Sequence, residues 1–400
     1  MNISPVTRQG LKDVRPGREA LPGAKRPSRS RPPGQGRQPR ATPGGELRPN
    51  SYYGLPVLNK PVWEPREIAG YFFLGGLAGA SSLVALGAEL TGRPQLARGA
   101  KLGAAGAISL SMVALVKDLG RPARFLNMMR VFKPTSPMSV GTWIVSAYAP
   151  AALAAAACDV TGRFPAAGRI AAGGAALLGP GVASYTAVLL SNTAVPAWHE
   201  ARAVMPFLFV SSAASAAAGL GLITAAGQET GPVSRLAVAG AAGELVAGEL
   251  MLRGMDPVVR RGYDHGRARV LLTASKAIAV AGAAGAVAGA VTGSRAIRVA
   301  AGVALLAASA CTRFGVFHAG ITSADDPEAT VGPQRARLAA RAGGSQPAAP
   351  AAHAPARQPA SGPASPLKST SWGDSTSIPG HRQSGTSIPL SRKRDGGESS

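Results

Sequence analysis

Small and aliphatic residues gather along this chain into runs of about 20, divided by short stretches rich in Gly, Pro and Arg. A helix needs roughly 20 apolar residues to cross the hydrocarbon core of a bilayer. Eight runs come near that length: 67–90, 100–117, 139–158, 167–190, 203–226, 233–252, 269–292 and 295–318. Only Thr292, Gly293 and Ser294 divide the last two. The pattern predicts an all-α integral membrane protein, a bundle of about eight transmembrane helices with disordered basic tails. Residues 1–66 and 319–400 are rich in Pro, Gly, Ser and Arg and show no sustained apolar period. Such segments bury too little surface to offset the entropy of ordering. The expected division is a disordered basic tail over 1–50, the eight-helix domain over 51–322, and a disordered Pro/Ser/Arg-rich tail over 323–400. The first 50 residues hold no apolar core of the kind a cleavable signal peptide needs, so the first helix is expected to direct its own insertion.

Charge changes the picture in two ways. The formal net charge of +23 would suit a nucleic-acid partner, yet the arginines sit in tails and between spans with few aromatics to stack on bases. No nucleic-acid partner is expected. On the side that carries both termini the runs leave 33 Lys and Arg, against eight on the other, and the short loops by themselves give 11 against eight. The positive-inside rule then places both termini in the cytoplasm, which needs an even number of helices.

The chemistry-bearing residues are sparse. Cys158 and Cys311 fall near opposite faces in this topology, too far apart for a disulfide and without the clustered spacing of iron–sulfur or zinc sites. Of the five histidines, His199 and His265 lie in loops, His353 and His381 in the C-terminal tail, and His318 at a helix end. No two face each other within the bilayer, so neither haem nor an iron–sulfur cluster is expected in this chain. Gly75, Gly76 and Gly79, and later Gly285 and Gly289, read as close helix contacts of the small-xxx-small kind.

Ionisable groups within spans are costly, which makes them informative. Glu89 ends the first run, where it can face water. Glu244 lies near the middle of the sixth run and Glu249 nearer its cytoplasmic end, while Lys276 is nearly two turns into the seventh. Antiparallel neighbours bring Glu249 and Lys276 to similar depth, and a pair between them is expected. Glu244 is either a protonated side chain bonded to backbone or part of a proton path with Glu249 and Lys276. Arg313 is placed about one turn from the end of the eighth run, close enough to snorkel. Trp63 and Trp198 read as interface anchors first and pocket walls second, and His199 as a solvated loop residue before a proton donor.

The stretch KDLGRPARFLNMMR, residues 117–130, places Lys117, Asp118, Arg121, Arg124 and Arg130 at a membrane edge. Asp118 is positioned to pair with Arg121 or Arg124 across the turn at Gly120–Pro122, leaving positive charge to meet a partner. Further stretches accompany it: YFFLGGLAGASS (71–82), DLGRPARF (118–125), TSPMSVGTW (135–143), SYTAVLLSNTAVPAWHEAR (184–202) and RFGVFHAGITSADDP (313–327). In this order, with Tyr53-Gly54-Leu55-Pro56 and Pro61-Val62-Trp63 before them, they resemble the NrfD-like polysulfide reductase membrane-anchor family over roughly residues 51–330. The DLGRPxRF and TSPMSxG patterns look like the subset that anchors molybdopterin oxidoreductases of the formate dehydrogenase type.

That resemblance implies an electron route. A molybdopterin catalytic subunit and a four-cluster ferredoxin-like subunit would be the partners, and this chain would supply the pocket for exchangeable menaquinone in a bacterial inner or plasma membrane. The family's quinone-contacting Tyr matches Tyr185. A family His matches Tyr71 here, and a family Asn falls at Glu67 or Ile68. Tyr can still donate to a ring carbonyl, and Glu67 can also deliver a proton. A secondary transporter built on Glu244, Glu249 and Lys276, or a purely structural anchor, are the competing readings of the same residues.

Overall fold

The computed structural model describes residues 6–7, 10–11, 58, 61, 63–119 and 127–343. Val6–Thr7 and Gly10–Leu11 form a two-residue antiparallel pair. The remaining regular structure among the described residues is helical. The long helices are α1 (Pro65–Leu90), α2 (Pro94–Leu119), α3 (Pro137–Thr161) and α4 (Pro165–Ser191). After the short α5 (Pro196–Glu200) come α6 (Met205–Thr224) and α7 (Gly231–Arg253). The short α8 (Pro257–Asp264) leads into α9 (Gly266–Thr292) and α10 (Arg295–Asp325), and α11 (Pro327–Gly343) follows.

The helix starts are written locally. Proline opens α1, α2, α3, α4, α5, α8 and α11, where its missing N–H costs nothing and its fixed φ suits the first turn. Ser136 Oγ accepts from Ser139 N and caps α3; Ser294 Oγ accepts from Ile297 N at 3.4 Å and caps α10. The narrow boundary between the last two apolar runs is real: Gly293 ends α9 at φ 66°, a left-handed conformation that a Cβ would strain.

Seven of the described helices are long and apolar enough to cross a membrane: α1, α2, α3, α4, α6, α9 and α10. The sixth run of the sequence, now α7, is as long, but Arg235, Glu244, Glu249 and Arg253 lower its apolar character below theirs. The eighth run extends to Asp325 rather than 318, and α11 carries helix to Gly343. Helix therefore continues past residue 322, where the sequence suggested a tail. Pro180 lies inside α4 without ending it.

α1 is the centre. It packs on α2 and α4 on one side and on α6 and α10 on the other. Within its most apolar stretch 72% of residues are buried, against 22% for α9. Glycine permits this: a Cβ on Gly79 would collide with the carbonyl of Gly179 on α4, and a Cβ on Gly179 with that of Gly79. Gly219 of α6 and Gly302 of α10 meet in the same way. Gly282 and Gly289 seat α9 on Leu305 and Arg298 of α10, as close helix contacts require.

A charged knot joins α1, α2 and α3. Lys101, 7% exposed, donates to Glu89 and to Asp159, the latter at 3.1 Å, and Arg98 Nε reaches Asp159 at 3.5 Å. Because α2 begins at Pro94, Lys101 stands in its second turn and is not a loop charge. Glu89 is occupied by it and does not simply face water. Removing Lys101 would leave two carboxylates together with little solvent, so Lys101→Met should cost about 3 kcal/mol. Arg253→Ala, which breaks an exposed i,i+4 pair with Glu249, should cost under about 1 kcal/mol. Thermal unfolding of the detergent-solubilised protein will separate the two variants.

Candidate functional site

Tyr71 of α1 and Tyr185 of α4 are 114 positions apart in sequence, yet their rings meet edge to face with centroids 6.4 Å apart. Two things bring them together. The Gly79–Gly179 contact closes α1 on α4, and Gly141 of α3 leaves the space that the Tyr185 ring fills, since a Cβ there would overlap it. Ser111 Oγ of α2 donates to the Tyr71 carbonyl at 3.2 Å and ties the third wall. The tyrosines face a cavity of about 80 Å³, lined also by Trp63, Ile68, Phe72, Leu115, Asp118, Met128, Met138, Thr142, Val145 and Leu189. The Tyr185 hydroxyl is buried and has no hydrogen-bond partner among the described residues. A buried donor left unmade costs roughly 1–3 kcal/mol, so the cavity favours a ligand with an acceptor oxygen.

The expected site residues separate into three groups. Tyr71, Tyr185 and Asp118 share this cavity. Glu67 is half-buried one turn before Tyr71 but does not line the cavity. Arg121, Arg124 and the turn at Gly120–Pro122 lie outside the described residues. Asp118, expected at a docking edge, is thus also a wall of the tyrosine cavity.

Trp198 needs correction: it is fully buried rather than an interface anchor. Its Nε1–H donates to Val316 O at 2.9 Å, its ring stacks on Trp63 at 5.8 Å, and Gly320 lies flat against it. Trp63 therefore joins the tyrosine cavity to a rigid aromatic support. His199 is solvent-exposed, as expected, but it lies in the short α5 rather than in a loop, with Nδ1 3.2 Å from Ser191 O. Tyr263 of α8 braces the same turn by donating to Ala197 O at 3.1 Å, and burial pushes its phenol above the ordinary tyrosine range.

Glu244 belongs to a separate polar centre. It is 5% exposed, and its Oε1 accepts from Thr312 of α10 and, at 3.3 Å, from Ser275 of α9. These hydroxyls, not backbone, are its direct partners; Ser212 and the Arg313 guanidinium also favour the carboxylate, and Oε2 itself makes no hydrogen bond among the described residues. Glu249 is half-exposed, with Arg253 Nε at 2.9 Å and Lys276 Nζ at 3.9 Å. The expected Glu249–Lys276 pair is present, and Arg253 is the nearer partner.

Arg313 overturns its expectation. It is 1% exposed; Nη2 donates to Phe209 O at 2.6 Å, and the guanidinium lies 4.0 Å over the Phe209 ring. It cannot snorkel, because α10 continues for 12 residues beyond it to Asp325, ~18 Å at 1.5 Å per residue. Gly76 of α1 makes the room: a Cβ there would stand 3.2 Å from Arg313 Nη2. Sequence reading missed Arg313, Thr312, Ser275 and Gly141 as site-building residues. Gly141 was visible within TSPMSVGTW, but nothing local shows which ring it admits.

Apolar helices long enough to span a bilayer, packed through glycine and enclosing polar side chains, define a multi-pass membrane protein. Residues 57–247 match the family model described as Polysulphide reductase, NrfD. The matched stretch contains Tyr71, Asp118, Gly141, Tyr185 and Glu244, and it supports the NrfD-like family and a membrane subunit of a redox complex. That family is generally a membrane anchor for iron–sulfur and molybdopterin subunits. No curated protein matches the chain.

The cavity geometry makes a prediction about stability. Gly141→Ala should lower it by about 1–3 kcal/mol through overpacking against Tyr185. Gly174→Ala, at a helical position with nothing within 4 Å, should be neutral or slightly stabilising. Thermal melts of the two purified variants give the comparison.

Proposed function

We propose that this chain is the quinone-reactive membrane subunit of a molybdopterin oxidoreductase complex of the formate dehydrogenase type. In this reading it exchanges electrons between a four-cluster ferredoxin-like subunit and membrane menaquinone or menaquinol. The observation that carries it is the convergence of Tyr71, Tyr185 and Asp118 on one cavity, with the Tyr185 hydroxyl unmatched. Bound menaquinone would supply two-electron, two-proton redox chemistry. Tyr185 would orient it by donating to a ring oxygen. Asp118, in the same wall, would hold or release a proton at that position, and Glu67 would connect it to the surface one turn beyond Tyr71. Trp63, Phe72 and Val145 would keep bulk water away from the ring.

Glu244, Glu249 and Lys276 form the proposed proton path, running from the half-exposed Glu249–Lys276 pair to the buried Glu244. α7 is proposed as an eighth crossing, which would put both termini on the cytoplasmic face of a bacterial plasma membrane. The docking edge of the partner subunits would comprise Asp118, Arg121 and Arg124.

Tyr185→Phe keeps the ring and removes the hydroxyl. Quinol-dependent turnover of the assembled complex should fall roughly tenfold or more, the loss of one buried hydrogen bond, while subunit content is unchanged. Unchanged turnover in a fully assembled variant would refute the quinone role. Charge reversal at Arg121 and Arg124 should release the partner subunits from a chain that still inserts. If they still co-purify, the docking edge lies elsewhere.

A further inference from the structure

We infer that the cleft between α7 and α9 is a second ligand site, separate from the tyrosine cavity, that takes the oxygen-bearing ring of a membrane-soluble phenol or quinol. The cleft measures about 140 Å³. A dry protein cavity of about 150 Å³ accepts a single benzene ring, so the volume suits one six-membered ring. Leu208, Met251 and Leu272 give it apolar walls, and Glu244, Ser275 and Thr312 line it with polar groups. Gly248 also lines it, and a Cβ there would touch only Leu208, at 3.8 Å.

The chemistry of Glu244 selects the ligand. Its Oε1 is committed to Thr312 and Ser275, whereas Oε2 is buried without a partner among the described residues. As an acid the carboxyl can donate to a ring carbonyl; as a carboxylate it can accept from a ring hydroxyl. A ring oxygen meets the need in either state, and an acyl chain meets it in neither. Arg269 and Lys276 also line the cleft, so an anionic headgroup would be drawn to them and not to Glu244. Entry is lateral. Val246 and Leu250 of α7 and Val280 of α9 are exposed, and α9 is the least buried of the seven apolar helices, so this flank meets lipid. None of this depends on Tyr71 or Tyr185.

The test uses the full-length protein in nanodiscs and a photoreactive azidophenol, with peptides mapped by mass spectrometry. Label should appear on α7 and α9, within residues 244–252 and 272–279. Trimethylhydroquinone should displace it and phosphatidylglycerol should not. Gly248→Leu, or independently Met251→Phe, should lower this labelling at least tenfold by filling the cleft. Label confined to α1 and α4 would belong to the tyrosine cavity and would overturn the inference. So would cleft labelling that survives both filling variants, or that only phosphatidylglycerol displaces.

Discussion

The backbone contact between Gly79 and Gly179 is the constraint on which the other features rest. In lipid there is little hydrophobic drive between helices, and association depends on dispersion and close approach. α1 is enclosed by α2, α4, α6 and α10 because it presents Gly75, Gly76 and Gly79 along its length. Gly79 admits α4 to backbone distance, which sets Tyr185 against Tyr71. Gly76, one turn nearer those tyrosines, opens the space in which Arg313 can lie. One helix thus positions the tyrosine cavity on one side and a buried cation on the other.

The buried charges are handled by three different devices. Lys101 is held by two carboxylates of neighbouring helices, so its desolvation is offset by Coulombic attraction. Arg313 has no carboxylate within ion-pair distance among the described residues and is held by a carbonyl and an aromatic face, with the charge of Glu244 attracting it from further away. Glu244 relies on hydroxyls donated by two other helices, which leaves half of its hydrogen-bonding capacity open. The first arrangement is a fastening, complete in itself. The third is incomplete, and that incompleteness is what makes the α7–α9 cleft a site. The tyrosine cavity has the same property, since the Tyr185 hydroxyl is also unmatched. Both sites are recognisable by an unmet buried polar atom beside an apolar space.

Much of the fold was legible in the chain. The apolar runs, the prolines that open helices and the Thr292–Gly293–Ser294 break all correspond to observed elements, because helix length and capping are local properties. The pairing of Glu249 with Lys276 followed from antiparallel neighbours at matching depth. The placement of Tyr71 near Tyr185 followed from motif likeness, and geometry supplied the cavity between them. Charged positions were harder. Arg313 looked peripheral because the eighth run was ended at residue 318, and a helix that continues to Asp325 buries it instead. Lys101 looked like the very edge of a span because the second run was begun at residue 100, whereas Pro94 opens the helix nearly two turns earlier. Errors of one or two turns at helix ends are small for a helix and decisive for the environment of a charge.

By itself, then, the sequence determined which long apolar segments are helices, where each lies to within a turn or two, and which residues are small enough to touch. Those outcomes depend on neighbours within a few positions. Only the tertiary structure decided which side of each helix is enclosed. Trp198 could have stood at the interface, but Gly320, 122 positions later, gives its ring a flat surface deep in the bundle. Thr312 and Ser275 are unremarkable hydroxyls until α9 and α10 turn them toward Glu244. A polar atom is satisfied or left open by groups far away in the chain, and that relation exists only once the helices have packed.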